Sequence, residues 1–250
     1  MFKRKILSKL EAWKQDERHK PLILRGARQV GKTTVVNEFG SQFDNYLYFN
    51  LEISESVRLF EMDIPLNDLV NMLFASLGKP QKEGSTLIFI DEIQNSPKTI
   101  ALLRYFYEQR PDLYVIAAGS LLENLVDVNV SFPVGRVMYL ALRPCSFYEF
   151  LGAIGKNNLL TILSQKAEYT IAFHEQLMHQ FNQYTIIGGM PEAVQHYAET
   201  QDIIAIEDVY ETLVQAYKDD SEKYARSNKL TDVVRFILSY GWAFSGETIT

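Results

Sequence analysis

Two hydrophobic rhythms divide this chain. Up to about residue 150, short apolar runs rich in β-branched and aromatic residues alternate with amphipathic stretches. The runs Leu22–Leu24, Tyr46–Leu51, Leu87–Ile90, Tyr114–Ala118 and Val137–Leu142 read as strands buried on both faces of a parallel sheet. Between them, Asp68–Leu77 and Lys98–Gln109 carry apolar residues at helical spacing. In the second, Ile100, Leu103 and Tyr107 share a stripe with Leu102 and Phe106, and Pro97 marks a helix start. Phe2, Ile6, Leu10 and Trp13 fall near one face of a further helix, which should pack on the domain edge. Strands and helices in alternation predict a three-layer α/β domain.

Beyond about Leu151 the strand signal fades. Helical periodicity takes over in Leu159–Tyr184, Pro191–Glu199, Ile203–Lys218 and Leu230–Tyr240. Gly152, Gly155, Asn157 and Asn158 supply the breaks between the two regimes. Gly188-Gly189-Met190-Pro191 is both a helix stop and a helix start. The expected partition is a core over residues 1–152, a helical domain over 153–227 and a third segment over 228–250.

Bulk properties narrow the setting. At 250 residues and 47% hydrophobic, the chain fits one large or two modest domains with a real core. A net charge of −6 argues against a globally basic nucleic-acid binder and leaves a local patch open. The single cysteine, Cys145, excludes an internal disulfide framework and fits a reducing cytosol. No apolar run is long enough to span a bilayer, and the basic N-terminus lacks the sustained apolar region of a secretory signal. A cytoplasmic location without membrane contact is expected.

The chemistry lies at the strand ends. Gly26-Ala27-Arg28-Gln29-Val30-Gly31-Lys32-Thr33, followed by Thr34, stands between an apolar strand and an incipient helix. In that setting glycines let successive N–H groups turn toward phosphate oxygens, and a helix N-terminus adds a favourable dipole. Lys32 is spaced to reach the β- and γ-phosphates and Thr33 to join the coordination shell of Mg²⁺. The buried run ending at Ile90 delivers Asp91 and Glu92 to the carboxyl edge of the sheet, where ligands bind in open α/β folds. Asp91 suits a role in holding Mg²⁺, and Glu92 suits orienting and deprotonating a water. Ser120, after Ala117-Ala118-Gly119, either hydrogen-bonds the γ-phosphate or the water, or caps a helix beginning at Leu121. No Asn-Lys-x-Asp motif for guanine is present, which favours adenine.

These motifs, with Gly135-Arg136 and Gly188-Gly189-Met190-Pro191-Glu192, resemble the predicted bacterial and archaeal AAA-type ATPases, in particular the archaeal ATPase and STAND-related branch with a C-terminal domain of unknown function. The resemblance runs from about Lys5 to the end. It implies an ASCE-type P-loop core, in which other strands flank the phosphate-loop strand, with ATP as nucleotide and a winged helix after the helical domain. By the same resemblance Gly26 to Thr34 bind phosphate, Asp91 serves Mg²⁺, Glu92 activates water and Ser120 is the sensor. Arg136 matches an arginine that contacts the γ-phosphate of its own or a neighbouring subunit, with a surface ion pair as the competing role. Arg28, Arg104 and Arg143 are weaker competitors. Gly189-Met190-Pro191 matches an element that couples the helical module to nucleotide. Leu230–Trp242 and the residues to Thr250 read as the first helix of a winged helix, so a fragment of a longer protein is expected.

The expected function is Mg-dependent ATP binding and hydrolysis, driving a switch between core and helical domain. An ATP-gated scaffold or DNA-associated module with little turnover is the alternative. A homo-oligomer or protein partner is expected, with DNA reached through the winged helix. Glu92 and the lack of an Arg-rich lid disfavour a small-molecule phosphotransferase.

Overall fold

A computed structural model describes residues 2–119, 133, 135–165 and 171–224, with positions 232, 233, 235–237 and 240. The chain forms two compact units, one over Phe2–Glu149 and the other from Phe150 onward.

The first unit is built on a parallel sheet of five strands among the described residues, in the order β2-β3-β4-β1-β5. These are β1 (Leu22–Arg25), β2 (Asn45–Asn50), β3 (Thr86–Asp91), β4 (Leu113–Gly119) and β5 (Met138–Ala141). Strand β1 therefore lies between β4 and β5, and β4 separates it from β3. Each run expected from sequence is a strand, its ends moved by a residue or so.

Successive side chains of a strand point to opposite faces, and both faces here are covered. Ile23, Leu47, Phe49, Ile88, Ile90, Val115 and Ala117 face one cluster. Helices α3 (Ser54–Phe60), α4 (Leu66–Ser76) and α5 (Pro97–Gln109) close it through Phe60, Leu69, Leu73, Ile100, Leu103 and Phe106. Leu22, Leu24, Leu87, Phe89, Ile116 and Ala118 face the other, under α1 (Ile6–Gln15) and α2 (Lys32–Gly40). That arrangement explains why the central strands read as continuous apolar runs rather than as alternating ones. α5 begins as its sequence predicts, with Pro97 in the first turn and the Ser96 hydroxyl accepting from Thr99 N at 3.3 Å.

The second unit is helical. α6 (Phe147–Ala153) leads into it, and α7 (Asn157–Ser164), α8 (His174–Ile187), α9 (Pro191–Thr200) and α10 (Glu207–Tyr224) follow. The stretch Leu159–Tyr184, read as one helix, belongs to two: α7 ends at Ser164 and α8 begins at His174. Ile203–Lys218 is likewise divided, a single 3₁₀ turn at Ile204–Ile206 preceding α10. α8 stops at the expected glycine, since Gly188 takes φ 74° and an added Cβ there would meet the Tyr210 hydroxyl at 2.6 Å. In Leu230–Tyr240 the described positions are helical; the remainder of 228–250, the winged-helix segment, lies outside the described residues. No helix among the described residues is long and apolar enough to cross a membrane.

Candidate functional site

Because the strands run parallel, Arg25, Asp91, Gly119 and Ala141 all end at one edge of the sheet. Residues 26–31 leave that edge as a loop and enter α2 at Lys32. Gly26 has no alternative there: a Cβ would lie 2.4 Å from the Leu142 carbonyl oxygen, a backbone atom that has little room to yield. Gly31 sits at the N-cap of α2 with φ 89°, in the left-handed region open to glycine. Gln29 is also left-handed, at φ 57°, although it has a side chain. Backbone strain of this kind clusters at functional sites. Glu92, with φ 53°, is another of the three non-glycine residues with positive φ among those described.

Lys32 is nearly buried and folds back over its own loop, donating to Gly26 O at 2.9 Å and Ala27 O at 2.8 Å. Burial holds its ammonium below the ordinary lysine range, against the pull of Glu92 and Asp91. Desolvation therefore outweighs the attraction of the two acids.

The Thr33 hydroxyl donates to Asp91 Oδ2 at 2.6 Å, joining the start of α2 to the end of β3 across 58 residues of sequence. Asp91 is 3% exposed, and burial raises its carboxyl above the ordinary 3.8 despite the bond from Thr33. Its other oxygen accepts from Glu92 N at 3.0 Å. A hydroxyl and a carboxylate side by side are hard oxygen donors of the kind Mg²⁺ takes when it keeps waters and shares phosphates, so the residues fit that ion. Among the described residues no group of three or more His, Cys, Asp or Glu forms an all-protein metal cage. Glu92 is half-buried and accepts from Gln94 Nε2, while Gln94 Oε1 is buried without a hydrogen-bond partner.

Three residues near this site were not singled out from sequence. Gln94 follows Glu92 by two residues. The phenol of Tyr48, on β2 beside β3, is held above its ordinary range by burial and by the charge of Asp91. Arg4, ahead of α1, donates through Nη1 to Val30 O in the loop at 3.1 Å. No motif announces Arg4, because its partners lie far along the chain.

Arg136 does not join the loop. It precedes β5, at the opposite edge of the sheet, close to where Lys20 Nζ donates to Gly135 O at 2.6 Å. Four residues of strand at about 3.3 Å each put roughly 13 Å between that edge and the loop's. Its guanidinium makes an exposed ion pair with Glu108 at 2.7 Å, which Arg104 shares at 2.9 Å. Arg28 lies within the loop, and the Arg143 carbonyl follows β5 at the loop's own edge. Ser120 lies outside the described residues; Gly119, just before it, pairs in register with Arg25.

Comparisons with known proteins agree with this architecture. Aligned over the whole chain is the Walker-type ATPase PABY2304 of Pyrococcus abyssi, at a TM-score of 0.57 and 18% identity, covering 86% of that protein. At that identity it speaks for the fold alone. Weaker overlaps, at TM-scores of 0.43 and 0.41, link 97% of the chain to 68% of C. elegans PCH-2 (13% identity) and 67% of a Drosophila ORC chain solved bound to DNA (15% identity). A comparison with curated proteins found no match. Residues 178–245 match a family described as a domain of unknown function (DUF8612). Residues 18–151 match the AAA domain family, which takes in more than half of the chain, from just before β1 into α6. By that match, the chain belongs to the AAA domain family.

Proposed function

We propose that this protein binds ATP at the loop of residues 26–34 and hydrolyses it with Mg²⁺. The observation that carries the proposal is the Thr33–Asp91 contact at 2.6 Å, which brings a phosphate-type loop and a buried acid together at the carboxyl edge of the sheet. Thr33 and Asp91 would hold Mg²⁺, which when bound neutralises charge on the β- and γ-phosphates. Lys32 moves from the Gly26 and Ala27 carbonyls to the phosphates, and loop N–H groups with the α2 N-terminus take the remaining charge. Glu92 accepts the proton of a water as its oxygen bonds to the γ-phosphorus and the bond to the ADP oxygen breaks. Ser120, next in the chain after β4, is assigned to sensing the γ-phosphate.

Arg136 is assigned to a neighbouring subunit's site rather than its own. Its place at the amino edge of the sheet supports that choice. In this reading residues 1–152 are the catalytic core, 153–227 the helical domain that answers to the nucleotide, and 228–250 the start of a winged helix.

Calorimetry with MgATP and steady-state phosphate release test the assignment. Lys32→Ala should abolish binding. Glu92→Gln should bind like wild type and turn over about 10²–10⁴-fold more slowly, the usual contribution of a positioned base. Micromolar binding retained by Lys32→Ala would defeat the site.

A further inference from the structure

We propose that Arg4 is a positioning residue for nucleotide binding, setting the form of the phosphate loop from behind; the proposal rests on the nucleotide site described above. Arg4 is 5% exposed and uses its planar fork on three elements at once. Nη1 donates to Val30 O at 3.1 Å, Nη2 to Arg143 O at 2.7 Å, and Nε to Glu149 Oε1 at 3.0 Å. Glu149 is itself fixed, accepting from Lys5 N at 2.9 Å, Ser146 N at 2.8 Å and Ser146 Oγ at 3.0 Å. The guanidinium therefore has one orientation, and its charge is balanced within the bracket.

The consequence for the loop follows from peptide geometry. The Val30 carbonyl and the Gly31 N–H belong to one trans, planar unit and point in opposite directions. Holding the oxygen toward Arg4 turns the Gly31 N–H to the other side of the loop, the side on which an anion nest forms. The residues on either side of Val30 do little to hold that plane themselves. Gln29 at φ 57° and Gly31 at φ 89° are both in the left-handed region, where alternatives are close in energy or the residue is strained. Arg4 selects the plane without touching nucleotide. A lysine would keep the charge yet could not span two carbonyls and a carboxylate in one fixed geometry.

The experiment compares wild type, Arg4→Lys, the double variant Arg4→Met/Glu149→Met and a remote core control, Phe106→Leu, which lowers stability away from the loop. The double variant removes both buried charges together, which costs less stability than leaving one of them unpaired. Circular dichroism gives the melting temperature of each, and calorimetry with MgADP gives Kd at a temperature where each is folded. Arg4→Lys and the double variant should bind MgADP about tenfold or more weakly, as for groups that orient a binding residue. Phe106→Leu should melt lower and bind as wild type does. Wild-type affinity in either folded Arg4 variant overturns the proposal, as does equal weakening in Phe106→Leu. A wild type that binds neither MgADP nor MgATP overturns the site and this proposal together, an outcome distinct from the other two.

Discussion

Asp91 occupies a position that works against the stability of the fold. Burial raises its carboxyl above 3.8, so the folded chain resists its ionisation. The sign follows: the contribution of the neutral form is present in acid and is lost as pH rises through the raised value. Asp91→Asn should thus raise the melting temperature without nucleotide at pH 7, by about 2–4 °C for each kcal/mol relieved. The gain should shrink on acidification, and Mg-dependent tightening of nucleotide should vanish. A melting temperature that falls at neutral pH would show that the Thr33 bond outweighs burial. That β3 delivers Asp91 and Glu92 to the carboxyl edge of the sheet was legible from the buried apolar run before them. Their surroundings were not. Gln94 bonded to Glu92, Tyr48 under the field of Asp91 and Arg4 under the loop come from separate elements, and no local pattern joins them.

Strands were the easiest elements to read, because burial on both faces removes polar positions from Leu22–Leu24 and Leu87–Ile90. α4 was legible for a related reason, with Leu66, Leu69, Val70, Leu73 and Phe74 recurring at helical spacing. α3 was missed: it is seven residues long and fully buries only Phe60, too little for a periodicity to show. The stretch Leu159–Tyr184 misled because both of its helices are only lightly buried, Leu159 and Leu177 being their fully buried residues before Ile187. At the junction of β1 and α2 the close approach to β5 makes a sharper prediction. Gly26→Ala must push the loop off the Leu142 carbonyl, so it should cost about 1–3 kcal/mol, as overpacking does. Nucleotide binding should fall with it; denaturant melts and calorimetry read the two effects, and unchanged binding would show the loop moves freely.

For the molecule as a whole, the resemblance implied that other strands flank the loop strand, and β4 and β5 do; the full order, with β4 between the loop strand and the acid strand, comes from the structure. Periodicity alone could not have supplied it, since strand order depends on which apolar faces meet in space. The same order puts the amino end of β5, and Arg136 ahead of it, away from the loop edge. If Arg136 serves a neighbour, turnover per chain should rise with protein concentration and Arg136→Ala should remove the rise. Phosphate release measured from nanomolar to micromolar protein checks this, and a flat wild-type profile would return Arg136 to its pair with Glu108. A net charge of −6 gives no general attraction for DNA, so any change that added duplex makes to that profile would have to come from a local patch.

The register of β1 also bears on how the protein comes to life on the ribosome. Leu22 pairs with Ile116 and with Met138, so the strand that presents the loop is flanked only by chain made much later. Such distant pairings close slowly, and an early strand waiting for them exposes apolar surface. A nascent chain halted before β4 emerges would therefore carry the full phosphate motif and be unable to use it. Competence for nucleotide should arrive abruptly during synthesis, once the later strands have left the exit tunnel.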